Sequence, residues 1–275
     1  MEHLREKYFL DGEELKPVSG FYNFPDGQGI CIFEVLRVIS GIPLFLNEHL
    51  GRLQVSAEKS GISYRFRTDE FKKSVIRLIR ENQTKTGNIK VVIQFYEERM
   101  NFRIYFIPYR YPSDKDYLEG ATAGILKAER NNPGAKTIQP EIRELANDQI
   151  RKHGFYDVLL VDNLGFIREG SRSNLFFIKD NHLVTPPLDM VLNGITRRKV
   201  IELIHSSGRS IFERPVSLKE LESFDSLFLT GTSPKILPVK SVGNQTFDSQ
   251  APICRELMKN YDHLIEKYIS ENSEM

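Results

Sequence analysis

Gly165-Phe-Ile-Arg-Glu-Gly-Ser-Arg-Ser-Asn174 lies between two short apolar runs, near 156–161 and 173–178. Both runs are rich in Val, Leu, Ile and Phe, so they read as strands joined by a tight turn. The turn presents one carboxylate, Glu169, and feeds Asn174 into the second strand. Downstream, Asn193-Gly-Ile-Thr-Arg-Arg198 opens a helix at Thr196. A third hydrophobic strand, 226–230, runs into Leu229-Thr-Gly-Thr-Ser-Pro-Lys-Ile-Leu-Pro-Val239. Upstream, a strand at 121–126 precedes the irregular stretch Asn131-Asn-Pro-Gly134, then Lys136, then a helix over roughly 138–153 that stops at Gly154. Ser217 and Glu220 form a capping-box pattern. The tail, 250–270, is amphipathic, with Pro252 in its first turn.

The first half predicts a smaller unit of the same class. Residues 30–38 read as a strand, Ser40-Gly41 as a turn and 43–46 as a second short strand. Asn47 is the expected cap of a helix carrying Leu50, Leu53 and Ala57, with Gly61 as its stop. A second helix follows Thr68 with Phe71, Val75, Leu78 and Ile79 inward. Residues 89–96 and 102–108 pair around a polar turn. The stretch 109–119 is polar and contains Pro112, which marks a linker. The expectation is an α/β (α+β) protein: an N-terminal domain at 1–112, a linker at 113–120 and a larger domain at 121–275.

The chain has 275 residues, with 38 Lys and Arg against 37 Asp and Glu. A net charge of +1 gives no reason to expect a nucleic-acid or membrane-surface partner. The charged start has no apolar signal core and no run is long enough to span a bilayer, so the expected location is cytoplasmic. Cys31 and Cys254 are the only cysteines and lie far apart, which implies neither a disulfide framework nor a zinc site. The six histidines show no metal-ligand spacing, and no nucleophile elbow or Walker loop is present.

The chemistry-bearing residues are a lysine, a carboxylate, an arginine and two small-residue loops. Together they are the inventory for holding a phosphorylated aldehyde as an imine. Lys136 attacks an aldehyde only when its amine is neutral, which burial or a neighbouring cation arranges; a solvated surface lysine is the alternative. Glu169, facing a pyridine nitrogen, keeps that nitrogen protonated and the ring electron-accepting; otherwise it is an ordinary turn carboxylate. Asn174 orients ring substituents or satisfies backbone groups. Gly194-Ile195-Thr196 opens a helix whose N–H groups and dipole suit a phosphate, although Thr196 could merely cap it. Gly231-Thr232-Ser233 is a second loop of N–H and hydroxyl donors. Arg52 edges the buried stripe of its helix and has the shape to grip an anion or a surface carboxylate. His49 is read as a hydrogen-bonded structural histidine.

The ordered set Phe33-Glu34, His49-Leu50-x-Arg52-Leu53, Lys136, Glu169-Gly170-Ser171-x-Ser173-Asn174-Leu175-Phe176, Thr185-Pro186-Pro187, Gly194-Ile195-Thr196-Arg197 and Gly231-Thr232-Ser233 resembles the class IV (fold-type IV) pyridoxal-phosphate enzymes. These comprise branched-chain and D-amino-acid aminotransferases and aminodeoxychorismate lyases. The resemblance runs from about Gly29 to Val242. It implies two α/β domains with pyridoxal 5'-phosphate in the interdomain cleft, and a homodimer. It implies that Lys136 forms the aldimine and shuttles the α-proton, and that Glu169 pairs with the ring nitrogen. Arg52, Ile195, Thr196, Thr232 and Ser233 would hold the phosphate.

The substrate side departs from the family patterns. Phe33 stands where D-amino-acid aminotransferases have tyrosine, and the hairpin near 97–103 has Arg99 and Arg103 but no histidine. Arg99, Arg103 and Arg172 are the candidates for a carboxylate clamp, each with a surface role as the alternative. The expected activity is amino-group transfer between an amino acid and a 2-keto acid, with the lyase reaction, forming 4-aminobenzoate and pyruvate, as the alternative. A non-catalytic descendant is disfavoured because Lys136, Glu169 and Arg52 are all retained.

Overall fold

The structure, a computed structural model, describes residues 4–24, 29–97, 99–130 and 132–274. Glu98, in the expected polar turn, and Asn131, in the expected irregular stretch, lie outside the described residues. The chain divides into two compact units. The first comprises Met1–Arg110, Ala135–Ile138 and Ile265–Met275; the second comprises Tyr111–Gly134 and Gln139–Leu264. The segment around Lys136 therefore groups with the first unit, although the sequence placed it inside the 121–275 domain.

The first unit holds β1 (Tyr8–Asp11), β2 (Glu14–Pro17), β3 (Ile30–Ile39), β4 (Ile42–Pro43), α1 (Leu46–Lys59), α2 (Thr68–Asn82), β5 (Thr86–Tyr96) and β6 (Arg99–Ile107). The strands form one sheet in the order β2-β1-β6-β5-β3-β4. Strand side chains alternate between faces, and β3 shows why that matters. Ile32, Leu36 and Val38 turn to one face, where Leu46, Leu50, Leu53 and Ala57 of α1 and Phe71, Val75, Leu78 and Ile79 of α2 complete a core. Burying each such Leu, Ile or Phe contributes roughly 1.5–3 kcal/mol. Phe33 turns to the other face, beside Phe9, Val92 and Tyr105.

Two local details differ from the sequence expectation. Helix α1 starts at Leu46, after Phe45 in a left-handed conformation (φ 52°), so Asn47 lies within the first turn rather than at the cap. Phe45 is buried with its ring 4.9 Å from that of Tyr268, and this packing sets the entry to the helix. The N-terminal hairpin of β1 and β2 was not anticipated.

The second unit holds α3 (Asp114–Glu119), β7 (Ala121–Lys127), α4 (Pro140–His153), β8 (Asp157–Val161), β9 (Phe166–Gly170), β10 (Asn174–Lys179), β11 (His182–Thr185), α5 (Ile195–Ser206), β12 (Ile211–Glu213), β13 (Val216–Ser217), β14 (Ser226–Gly231), β15 (Lys235–Val242), β16 (Gln245–Thr246) and the part of α6 (Pro252–Glu271) up to Leu264, the rest of that helix grouping with the first unit. Its sheet runs β12-β11-β10-β14-β15-β7-β8-β9-β13, with β16 on β15. Leu159, Ile167, Leu175, Phe177, Leu227, Leu229 and Leu237 build the core on one side. Phe176 and Phe228, paired in register, stack on the other side at 5.0 Å.

The stretch expected as a linker, 113–120, contains α3. Ser113 and Asp116 form a reciprocal capping box that nucleates this short helix. The capping box at Ser217 and Glu220 starts a 3-10 helix at Leu218–Ser223. Among the described residues, no helix is long and apolar enough to cross a membrane.

Candidate functional site

In the first unit, Lys136 is fixed by its backbone. Its carbonyl accepts from the Phe33 N–H at 3.0 Å, and its own N–H donates to Ser56 Oγ at 3.2 Å. Ile138 donates to the Cys31 carbonyl, and Thr137 bridges Ile32, so 136–138 runs antiparallel to the start of β3. The Lys136 ammonium lies 5.0 Å from the Phe33 ring centroid, within cation–π range.

Glu34, next along β3, points to the opposite face and is fully buried. There it meets α1. His49, Arg52 and Ser56 follow one another at helical spacings of three and four, which puts them on one face. Glu34 accepts from Arg52 Nε and Nη2 at 2.7 Å each and pairs with His49 Nδ1 at 2.8 Å. Burial alone would raise the Glu34 carboxyl. The charge and hydrogen bonds of Arg52, with the His49 contact, reverse that and hold it far below the usual carboxylate range. Burial pushes His49 below its ordinary value; Glu34 opposes this, while Arg52 and Lys136 add to it. Ser56 Oγ also donates to the Arg52 carbonyl at 2.9 Å, which joins this cluster to the Lys136 backbone.

In the second unit, Glu169 lies in β9 rather than in a turn, and it is buried. Its Oε2 accepts from the Leu192 N–H at 3.1 Å and from Asn174 Nδ2 at 3.3 Å. Arg130 Nε stands 2.7 Å from Oε1. Asn174 also donates to the Leu192 carbonyl at 2.9 Å. The approach of Asn174 requires glycine opposite: a Cβ at Gly194 would sit 2.0 Å from Asn174 Oδ1.

Gly194, the residue before α5, has no side chain with which to cap that helix, and Ile195, Thr196 and Arg197 at its start are buried. Tyr261 donates its hydroxyl to Thr196 Oγ1 at 3.4 Å. Thr232 and Ser233 occupy the turn between β14 and β15, both half-buried. In this unit the structure therefore joins Glu169, Asn174 and the α5 start into one hydrogen-bonded group through 192–194.

The candidate clamp arginines separate. Arg103 is buried with its guanidinium 4.0 Å from each of the Tyr22 and Phe24 ring centroids, bonded to Asp11 at 3.0 Å and to the Tyr22 carbonyl at 2.7 Å. Arg99 is exposed near the hairpin turn. Arg172 is exposed and bonds Asn147.

Three charged residues were not singled out from the sequence: Glu34 as the partner of Arg52, Arg130 as that of Glu169, and Asp157, which accepts from Ser171 Oγ at 2.6 Å and Ser173 Oγ at 2.7 Å beside Glu169 and Asn174 in the chain. A charged residue at the head of an apolar strand, Asp157-Val-Leu-Leu-Val161, was the one available signal for the last. No cluster of three or more candidate metal ligands occurs among the described residues.

The family model described as Amino-transferase class IV matches residues 31–242. A probable branched-chain-amino-acid aminotransferase of Rickettsia felis is 30% identical over 253 residues, covering 85% of this chain and 86% of that one. A D-alanine aminotransferase of Bacillus licheniformis is 28% identical over 244 residues, covering 84% of each. The crystal structure of the Escherichia coli branched-chain amino acid aminotransferase superimposes with a TM-score of 0.83 at 25% identity, covering 94% of this chain and 95% of that one.

Proposed function

The chain belongs to the class IV aminotransferase family, and from that premise we propose that it moves an amino group between an amino acid and a 2-keto acid with pyridoxal 5'-phosphate held on Lys136. The observation that carries this reading is the fixed backbone of Lys136, bonded to Phe33 and Ser56 on either side.

The residues present fit the cofactor. The start of α5 is buried and its N-cap residue, Gly194, offers no side chain, which suits backbone donors and the positive end of a helix dipole to an anion. Glu169 is a buried carboxylate held by a backbone N–H, an amide and a guanidinium. On this reading Ile195, Thr196, Thr232 and Ser233 would hold the phosphate, and Arg52, oriented by Glu34, is proposed as a further cation for it. Asn174 holds Glu169 in place. When bound, the cofactor supplies the electron sink that makes the substrate's α-proton acidic.

The protein's own part is positioning and proton transfer. Glu169 holds a proton at the ring nitrogen. Lys136 Nζ would hold the cofactor and, when not engaged with it, would act as the base that accepts the substrate's α-proton and passes it on. Phe33 lines the substrate side beside Lys136. Arg99 and Arg172 are the exposed candidates for the substrate carboxylate; Arg103 is held by Asp11 and the Tyr22 carbonyl. The same reading makes the protein a cytoplasmic homodimer.

The test is absorbance of the cofactor-loaded protein during addition of L-leucine, L-valine and D-alanine, one at a time. Conversion of the lysine-bound form to the amine form with at least one of them supports transamination and gives its handedness. No conversion with any of them, together with pyruvate release from aminodeoxychorismate, would replace this reading with the lyase.

A further inference from the structure

Asp157, at the head of β8, is 1% exposed. A buried carboxylate is costly unless its oxygens are satisfied. Here Oδ1 accepts from Ser171 Oγ at 2.6 Å and the Val158 N–H at 2.8 Å, and Oδ2 accepts from Ser173 Oγ at 2.7 Å and the Arg172 N–H at 3.2 Å. Three of these donors belong to 171–173, the turn between β9 and β10. That turn has Glu169 on one side and Asn174 on the other. It is closed by a bond from the Gly170 N–H to the Ser173 carbonyl at 2.8 Å, and it is pinned to β8 by the Ser171 N–H on the Val158 carbonyl at 2.9 Å. The packing leaves no slack: a Cβ at Gly170 would lie 2.1 Å from Ser173 Oγ and 2.6 Å from Asp157 Oδ2.

We infer that Asp157 is a positioning residue for the reaction, acting through the 171–173 turn to set the Glu169 carboxylate and the Asn174 amide, and through their bonds at 192–194 the start of α5. The inference rests on the reading that Glu169 faces the cofactor ring. The path alternates hydrogen bonds with covalent chain: Asp157 bonds Ser171 and Ser173, the chain leads from that turn back through Gly170 to Glu169 and forward to Asn174, and both of those bond Leu192. Asp157 touches neither substrate nor cofactor in this scheme. Its effect is to keep a carboxylate at one angle, and small errors in such angles are expensive in rate.

The carboxylate is required, not only its size. The two backbone donors, from Val158 and Arg172, reach different oxygens. Asparagine has one oxygen and one NH2, so it leaves one of these N–H groups facing a donor, while serine hydroxyls can rotate. Asp157→Asn therefore disturbs the turn with little change in volume.

The experiment uses the full chain loaded with pyridoxal 5'-phosphate and compares Asp157→Asn, Glu169→Ala and the double variant. The readouts are the melting temperature, the pH midpoint of the cofactor's visible band and the single-turnover rate with an accepted amino acid. Asp157→Asn is expected to move the band midpoint in the same direction as Glu169→Ala and to slow turnover about 10-fold, the scale seen for residues that orient a ligand-holding group. The double variant is expected to be no slower than Glu169→Ala alone, because the two act as a unit.

A lowered melting temperature with the wild-type band midpoint and rate would make Asp157 a fold residue only and overturn the inference. An unchanged band and rate in Glu169→Ala would remove the premise as well, and that outcome is distinct from the first. Should Asp157→Asn not fold, Ser171→Ala/Ser173→Ala removes both hydroxyl donors to the same carboxylate and gives the same two answers.

Discussion

Arg52 and Glu34 meet through two hydrogen bonds of 2.7 Å, Nε to Oε1 and Nη2 to Oε2, with Glu34 wholly buried and Arg52 nearly so. Such a two-point pair fixes a guanidinium in orientation as well as in place. Glu34→Gln removes the negative charge and one of the two carboxylate oxygens that face the Arg52 guanidinium inside the unit. The expected loss is about 3–5 kcal/mol of unfolding free energy, read from urea unfolding. A loss under about 1 kcal/mol would mean that Arg52 finds another partner and is not held by Glu34.

Acid sensitivity follows from the same cluster. His49 is held below its ordinary value of 6.5 and Glu34 far below 4.5, so at both positions the unfolded chain binds protons more readily than the folded one. Stability from these groups is fully present above the ordinary values and declines as pH falls through them. The urea midpoint is expected to drop as pH passes below 6.5, and to drop again below 4.5. His49→Asn should flatten the upper decline. An upper decline unchanged in that variant would assign it to other groups.

The glycines of the second unit are required by close approach. Gly194→Ala and Gly170→Ala each place a methyl about 2 Å from a buried oxygen. Each should cost about 1–3 kcal/mol through forced shifts. Gly51, inside α1 and with nothing within 4 Å of its Cβ position, is the contrast. Gly51→Ala should stabilise by about 0.5–1 kcal/mol. Parallel urea curves check all three, and a neutral Gly194→Ala would contradict the placement of Asn174.

Much of this arrangement was legible in the sequence, for identifiable reasons. Strands such as 30–38 and 226–230 are continuous apolar runs, and the α1 and α2 stripes repeat at helical spacing. Strand β9 was missed because Arg168 and Glu169 break its apolar pattern. Asp162 Oδ1, by accepting from the Leu164 and Phe166 N–H groups at 2.9 Å, organises the hairpin that contains it. The role of Phe45 ahead of α1 depends on Tyr268, more than two hundred residues away, and no local pattern carries that. The same holds within the candidate site. Glu169, Asn174 and Thr196 are announced by the polar run 168–174 and by the glycine ahead of a helical pattern, whereas the Glu34–Arg52 pair and the Asp157 bonds exist only once distant segments meet.

Glu169→Ala separates binding from chemistry. Cofactor should remain bound, because the α5 start and Lys136 are untouched, while proton abstraction slows by about 100-fold or more as the ring becomes a poorer electron sink. Stopped-flow single turnovers check this, and an unchanged rate would show that Glu169 does not face the ring nitrogen.

The most direct test of the central claim is borohydride reduction of the pyridoxal 5'-phosphate-loaded protein followed by peptide mass mapping. The account predicts one modified peptide, carrying the reduced cofactor on Lys136, and none in Lys136→Ala, which should also lack turnover. A label on another lysine, or full activity in Lys136→Ala, would contradict it.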